Sequence, residues 1–121
     1  MSRNNDYLVR GQIVRVRFSP VEGSEQGGTR PGIVLSPQVI LANSPVILIA
    51  PLTSKKTDRV YPFEALITAP EGGLSLTSKV MLTHVRGVDK TRIEEVLGVV
   101  SDATMVRIEE ALKIAVGIGN V

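Results

Sequence analysis

The segment QIVRVRF, residues 12–18, alternates between two sets of side chains without interruption. Val14, Val16 and Phe18 fall on one side of an extended chain, and Ile13, Arg15 and Arg17 fall on the other. A period of two predicts a half-buried β-strand. This is the strongest strand signal in the chain, and it indicates a fold whose core is built on a sheet.

Further strand and turn signals follow this segment. The apolar run VILIAPL, residues 46–52, is typical of a strand buried on both faces, and Pro51 indicates an edge or a bulge near its end. Shorter strands are predicted at 32–36, 63–68, within 74–86 and at 94–100, with a long loop at 19–31, a basic loop at 53–62 and a turn at 69–73. The pattern predicts a small, mostly antiparallel barrel.

The C-terminal segment changes to the spacing of a helix. Its apolar positions are Met105, Ile108, Leu112 and either Ala115 or Val116. Ser101 or Asp102 is expected to cap the start, and Gly117 is expected to end the helix. The predicted fold class is therefore mostly β, with one C-terminal α-helix.

The composition limits the classes of protein. The 121 residues predict one domain, 1–121, in which residues 1–9 are expected to be a flexible N-terminal tail. Cysteine is absent, so a disulfide framework and a thiolate nucleophile are excluded. No apolar run approaches the roughly 18 residues that a membrane span needs, and the first residues lack a signal-peptide core. A cytoplasmic protein without a membrane partner is expected.

The charges are distributed unevenly along the chain. Residues 1–92 contain 12 Lys/Arg and 7 Asp/Glu, a balance of +5, and residues 93–121 contain 2 and 5, a balance of −3; the sum is the net charge of +2. A basic body favours an anionic partner, although an ordinary mixed surface gives a similar balance.

Three polar groupings are candidates for chemistry. In SEQGGTRP (24–31), two glycines would let the backbone approach a ligand, and Arg30 could clamp a phosphate; a flexible loop with a solvated arginine is the alternative. Thr53 to Lys56 (TSKK) would form either an anion site at a strand end or an ordinary turn. HVRGVDKTR (84–92) combines an imidazole with cations, but its Asp89 could instead pair with Arg86 or Arg92 and fix a turn.

Several enzyme classes are excluded by what these groupings lack. There is no Walker-type phosphate loop, and His84 is the only histidine, so neither a carboxylate–histidine metal site nor a pair of catalytic histidines can form. No metal and no cofactor is expected. Any catalysis must use arginine, lysine, hydroxyls, carboxylates, backbone donors and at most one imidazole.

Taken in order, four blocks resemble the MazF/PemK family of toxin endoribonucleases. The blocks are RGQIVRVRFSPVEGSEQGGTRPGIVLS (10–36), IAPLTSK (49–55), HVRGVDKTRI (84–93) and SDATMVRIEEALKIAVGI (101–118). The resemblance implies an SH3-like barrel and a homodimer that cuts single-stranded mRNA at short motifs without a metal. It also implies a cognate antitoxin whose partly disordered tail blocks the RNA groove, with DNA contacted only indirectly through that antitoxin.

The resemblance also assigns residue roles. It places the catalytic arginine at Arg30 and the catalytic threonine at Thr53. Where the family usually has an acid and a glutamine, this chain has Gln12 and His84. Where some members have an acid shortly before the third block, it has Thr83. His84 is thus a possible additional acid–base group. The remaining residues expected to bind RNA are Arg15, Arg17, Gln26, Gly27, Gly28, Ser54, Lys55, Lys56, Arg59 and Arg86.

The implied chemistry is transfer by the 2′-hydroxyl of RNA, which gives a 2′,3′-cyclic phosphate and a 5′-hydroxyl. Arginine is suited to stabilise charge and unsuited to act as a base, because its pKa exceeds about 12. Two alternatives remain: a CcdB-like toxin that shares the barrel but binds DNA gyrase, and a non-catalytic RNA-binding barrel. The recognition motif, the antitoxin's identity and the general base are not specified by the sequence.

Overall fold

The alternating segment forms the first strand, as predicted. The computed structural model describes residues 7–18 and 28–119. In chain order the elements are β1 (Gln12–Phe18), β2 (Gly28–Val34), α1 (Gln38–Asn43), β3 (Val46–Thr53), β4 (Glu64–Ile67), β5 (Ser78–Met81), β6 (Arg86–Asp89), β7 (Ile93–Val99) and α2 (Asp102–Val116). The predicted class, mostly β with a C-terminal helix, is confirmed.

Strand β3 is central because it contacts three other strands. The antiparallel order is β4-β5-β3-β2-β1-β7, and β6 also pairs with β3. Strand β6 pairs with Val46 to Ile49 of β3, and β5 pairs with Leu52 and Thr53 of β3. Within the described residues, 7–18 and 28–119, no ladder joins β4 to β7, so the sheet is barrel-like but not closed.

Pro51 lies where β3 exchanges partners. On one side it pairs with Gly32 of β2. On the other side, the ladder with β6 stops at Ile49 and the ladder with β5 starts at Leu52. A proline inside a sheet is tolerated where no partner needs its missing N–H. The expected irregularity near the strand's end is therefore this gap between two ladders.

The core consists of two apolar clusters on opposite faces of the strands. Ile13 belongs to the first cluster, and Val14, Val16 and Phe18 belong to the second, as the period of two in β1 requires. Helix α2 closes the first cluster with the buried residues Ile108 and Ala111. Phe18 of the second cluster also lines the site described below.

Helix α2 has the expected boundaries. The hydroxyl of Ser101 accepts a hydrogen bond from the N–H of Thr104, and Gly117 ends the helix in the left-handed conformation. Met105, Leu112 and Ala115 are half-buried against the core, whereas Val116 is exposed. Of the two apolar positions proposed for the last turn, Ala115 is therefore the packed one. No helix among the described residues is long and apolar enough to cross a membrane.

Strand β2 begins earlier than its sequence suggests. The loop expected at 19–31 ends before Gly28, and Arg30 lies inside β2, opposite Val16 of β1. Backbone pairing with β1 outweighs the turn preference of the Gly-Gly-Thr-Arg-Pro sequence. Residues 19–27 lie outside the described part of the chain.

Three other segments differ from expectation. The short helix α1 was not predicted, because its six residues are too few to show helical spacing. Leu82–His84, expected to continue a strand, forms a 3-10 turn. Residues 1–9 were expected to be a flexible tail. Residues 1–6 lie outside the described part of the chain, and Leu8 is buried in the second cluster. The packed part of the chain therefore includes Leu8.

Glu71 stabilises the start of α2 in a pH-dependent way. Its carboxylate accepts hydrogen bonds from the N–H of Ser101 at 2.9 Å and the hydroxyl of Thr104 at 3.0 Å. The bond from Ser101 is the main cause that lowers the pKa of Glu71 below its usual 4.5, against the opposing effect of burial. The folded state therefore gains stability above that usual value and loses it as the pH falls through the folded pKa.

Replacing Glu71 with glutamine tests this linkage. We expect E71Q to lower the free energy of unfolding at neutral pH by about 1 kcal/mol, a value kept small because the carboxylate is partly exposed. The difference from wild type should shrink at an acidic pH, as the pH falls through the lowered pKa of the folded state and the wild-type carboxylate becomes protonated. Urea unfolding at both pH values measures it, and an equal difference at both would contradict the assignment.

Candidate active site

A cavity of about 720 Å³ opens on the face of the sheet that carries Phe18. Strands β2 and β3 contribute Arg30 and Thr53 to its lining, and the 3-10 turn before β6 contributes His84. The cavity thus brings together residues from all three polar groupings of the sequence. Its other lining residues are Phe18, Pro51, Lys55, Lys56, Tyr61, Glu64, Lys79, Met81, Val85 and Arg86.

The pairing of β2 with β3 explains why Arg30 and Thr53 meet. Gly32 pairs with Pro51, and Arg30 and Thr53 each lie two residues beyond that pair towards the same end of the sheet. Residues two apart point to the same face of a strand, so both side chains project on one side. Arg30 is also opposite Val16, which fixes that side as the one carrying Phe18.

The hydroxyl of Thr53 is oriented by the backbone after the strand. Its Oγ1 accepts a hydrogen bond from the N–H of Lys55 at 3.1 Å. A threonine hydroxyl has one hydrogen to donate, and this contact leaves that hydrogen available. The geometry therefore favours Thr53 as a hydrogen-bond donor to a bound group.

Two further groups in the cavity are held by β6 and its preceding turn. The guanidinium of Arg86 lies 5.4 Å from the centre of the Phe18 ring, a cation–π distance. His84 is exposed, and its imidazole forms no hydrogen bond with another described residue. Its ring is therefore available to a ligand.

Asp89 does not take part in the cavity. Its carboxylate accepts hydrogen bonds from the N–H and the hydroxyl of Thr91, which hold the pKa of Asp89 below its usual value. The contact caps the 3-10 turn Lys90–Arg92. Asp89 thus fixes a turn, but through Thr91 rather than by a salt bridge to Arg86 or Arg92.

The lining of the cavity is strongly cationic. Five lining residues are lysines or arginines, and Glu64 is the single carboxylate among the described ones. That carboxylate is paired with Lys79 at 2.9 Å, so it does not offset the other four cations. Across the described ranges, no three potential metal-ligating side chains cluster together. Such a lining is suited to phosphate groups.

A second groove, of about 410 Å³, shares three lining residues with the first. Arg30, Thr53 and Lys55 line both, and the second also contains Arg15 and Ser54. The guanidinium of Arg15 is paired with Glu95 at 2.8 Å. Arg15 lies on the face of β1 opposite Phe18, because the two residues are three positions apart in the strand.

Some residues expected to bind RNA line neither cavity. The side chain of Arg17 is exposed on the other face of β1, and Gly28 pairs with Phe18 at the start of β2. The guanidinium of Arg59 instead contacts Tyr61, donating to its hydroxyl at 3.2 Å. Gln26 and Gly27 lie outside the described residues, so the geometry says nothing of them.

Sequence reasoning missed Tyr61, Glu64 and Lys79 in this lining. The one available signal was Lys79 itself, a lysine placed within the otherwise apolar strand pattern of SKVML (78–82). Its partners are separated from it in sequence by 15 and 20 residues, so only the folded chain identifies them.

Three comparisons with known proteins bear on this site. Endoribonuclease MazF of Staphylococcus epidermidis is 32% identical over 111 residues, which are 92% of each protein. The crystal structure of MazF (Form-I) from Deinococcus radiodurans is 30% identical, covers 91% of this chain and 96% of its own, and has a TM-score of 0.75. The MazE-MazF (Form-II) structure from the same organism is 30% identical, with coverages of 93% and 97% and a TM-score of 0.73.

The family match covers nearly the same span as the four sequence blocks. Residues 9–116 match the family of PemK-like, MazF-like toxins of type II toxin-antitoxin systems. This span includes both grooves, every cavity residue named above and all of both apolar clusters except Leu8. This match and the relative at 32% identity show that the chain belongs to the PemK-like, MazF-like toxin family.

Proposed function

We propose that this protein is a MazF-type toxin endoribonuclease that cleaves single-stranded mRNA at short sequence motifs without a metal. The observation that carries the proposal is that Arg30 and Thr53, from neighbouring strands, line one cationic cavity. Relatives at 30% identity or above are named as MazF or as an endoribonuclease. The substrate, the chemistry and the partners below are part of the same proposal.

The chemistry uses the nucleophile that RNA itself carries. The 2′-hydroxyl attacks the adjacent phosphorus, the bond to the 5′-oxygen breaks, and the products are a 2′,3′-cyclic phosphate and a 5′-hydroxyl. The permanently charged fork of Arg30 stabilises the extra negative charge on the phosphorane-like transition state. The hydroxyl hydrogen of Thr53, left available by the bond from Lys55, donates to a phosphate oxygen.

Proton transfer needs a group that can change its charge near neutral pH. Neither Arg30 nor Thr53 can do so, because a guanidinium stays protonated in proteins and a threonine hydroxyl is a very weak acid. His84 lines the same cavity and has a free ring. We assign His84 the transfer of a proton to or from the reacting oxygens.

The other cations of the cavity bind the RNA backbone. Lys55, Lys56 and Arg86 extend the positive surface on either side of Arg30. The chain has only four aromatic residues, so few bases can be stacked and electrostatic contacts dominate affinity. Sequence preference then arises from hydrogen bonds to unstacked base edges.

The partners follow from the family and from one exposed surface. Four apolar side chains on α1 and the start of β3 are exposed, which supports a homodimer contact there: Val39, Ile40, Val46 and Leu48. A MazE-MazF structure exists for the Deinococcus relative, which supports a cognate antitoxin for this chain. DNA would be contacted only through that antitoxin, and an mRNA substrate places the protein in the cytoplasm.

Cleavage of a defined RNA pool in EDTA tests this function. We expect purified protein to cut naked RNA without ribosomes, and the mapped ends to carry a cyclic phosphate and a 5′-hydroxyl. RNA that stays intact at high protein concentration would refute the proposal. A supercoiling assay with DNA gyrase on the same preparation tests the CcdB-like alternative, and RNA binding without turnover would support the non-catalytic one.

The same assay tests His84. We expect H84Q to lower the cleavage rate by about a hundredfold, within the range usual for general acid–base catalysis. A variant that keeps the wild-type rate would remove His84 from the mechanism. The effect should be confined to the rate, since the exposed imidazole forms no hydrogen bond with a described residue.

A further inference from the structure

Lys79 of β5 is a buried lysine, whose side chain is only 7% exposed. Its ammonium donates to Oε1 of Glu64 on β4 at 2.9 Å and to the backbone oxygen of Arg59 at 2.8 Å. The same carboxylate oxygen accepts a hydrogen bond from the N–H of Tyr61 at 3.1 Å. The buried pair therefore makes two hydrogen bonds to the backbone of the connection between β3 and β4.

That connection, residues 54–63, forms the wall of the larger cavity, and we call it the cationic wall. It carries Lys55 and Lys56, both of which line the cavity, and Tyr61, whose ring lies 5.3 Å from that of Phe63. Residues 54–63 contain no strand or helix. Its shape therefore depends on contacts such as those from Lys79 and Glu64.

Folding stability alone does not explain a buried ion pair. Removing two charges from water is costly, and apolar residues of similar volume in the same place are often equally or more stabilising. What an apolar pair cannot supply is a hydrogen bond to the backbone of Arg59 and another to that of Tyr61. The distinctive contribution of Lys79 and Glu64 is thus to the position of the cationic wall.

We propose that Lys79 and Glu64 are positioning residues that hold the cationic wall against the cavity and thereby determine the affinity for RNA. The inference rests on the proposed ribonuclease function. Arg30 and Thr53 belong to paired strands rather than to the wall, so losing the buried pair weakens binding while the chemical step is retained.

The decisive variant replaces both partners with apolar residues, as K79M/E64L. It leaves no buried unpaired charge, and its net charge equals that of wild type. We expect its urea midpoint to stay close to that of wild type, whereas KM for RNA should rise about tenfold and kcat should change less than about twofold. Binding of a 2′-O-methyl RNA, which lacks the attacking hydroxyl, should weaken by the same factor.

Its matched control is K113M/E110L, which removes an exposed ion pair from α2 with the same change in charge. We expect the control to keep the wild-type KM. A folded K79M/E64L protein with wild-type KM and binding would overturn the proposal, as would a loss confined to kcat. If the double variant does not fold, K79M/E64Q takes its place, since it also leaves no unpaired charge, keeps an acceptor for the N–H of Tyr61 and loses only the contact with the backbone of Arg59. Its KM should rise about threefold, and an unchanged KM overturns the proposal.

The two readouts separate this inference from the proposed function. If wild-type protein binds the 2′-O-methyl RNA but does not cleave unmodified RNA, the ribonuclease proposal fails, while weaker binding by K79M/E64L still supports the positioning role. If wild-type protein cleaves and the variant binds equally well, only the positioning role fails.

Discussion

Replacing Arg30 with alanine is expected to slow RNA cleavage by at least about a hundredfold. Arg30 lies where the two grooves meet, so a backbone that occupies both must pass it. In the proposed mechanism, a guanidinium at that point stabilises charge that develops only in the transition state. Its removal should therefore reduce the rate constant of a single turnover more than it reduces RNA binding.

The fold should tolerate this change. Arg30 is half-buried and forms no ion pair with a described carboxylate. Its removal therefore leaves no described carboxylate without its partner. We expect the free energy of unfolding of R30A to stay within about 1 kcal/mol of wild type. R30K keeps the charge but loses the planar fork, and it should retain only part of the activity.

The control for R30A is K113A, which removes one positive charge from an exposed position on α2. It should cleave at the wild-type rate, because that lysine lines neither groove. A rate for R30A within threefold of wild type would remove Arg30 from the active site. A rate loss matched by K113A would mean that overall charge, rather than position, is responsible.

Much of the fold was predictable because local signals and tertiary contacts agree. The period of two in β1 matches the burial of one face, which carries Val14, Val16 and Phe18, and Ser101 and Gly117 bound α2 as their chemistry predicts. Strand β2 was placed too late because its glycines and Pro31 indicate a turn, while pairing with β1 determines the outcome. The exchange of partners along β3 depends on strands distant in sequence, which no local pattern reports.

The site shows the same division between local and distant information. Arg30 and Thr53 were assigned through their motifs, and the register of β2 and β3 explains how two distant motifs meet. A catalytic role for His84 was harder to predict, because a histidine among apolar residues is typical of a structural group. In the structure His84 lies in a 3-10 turn and its side chain is exposed. The Lys79–Glu64 pair requires the pairing of β4 with β5, so the sequence alone did not predict it.

Replacing Gly98 with alanine should destabilise the fold more than a typical substitution does. Gly98 lies in β7, where a Cβ atom would come within 2.6 Å of the carbonyl carbon and 2.8 Å of the carbonyl oxygen of Gly72. These atoms are backbone, so they cannot move aside as the end of a side chain could. We expect G98A to lower the free energy of unfolding by about 3 kcal/mol or more.

The reason lies in how closely two backbones approach at this point. Gly73 of the turn Glu71–Gly73 shows the same close approach to β7, since a Cβ on Gly73 would lie 2.0 Å from the carbonyl oxygen of Leu97. Gly98 also pairs with Ile13 of β1. Separating the turn from β7 would therefore disturb the strand that carries Phe18 into the cavity.

Urea unfolding at one fixed protein concentration measures the effect, with G87A as the matched control. A Cβ on Gly87, also in a strand, would approach only a side-chain atom, Cγ1 of Val46, at 3.0 Å. Val46 is exposed and can adjust, so G87A should cost less than about 1 kcal/mol. If the two variants lose equal stability, the cost of alanine reflects strand glycines in general rather than the contact between the turn and β7.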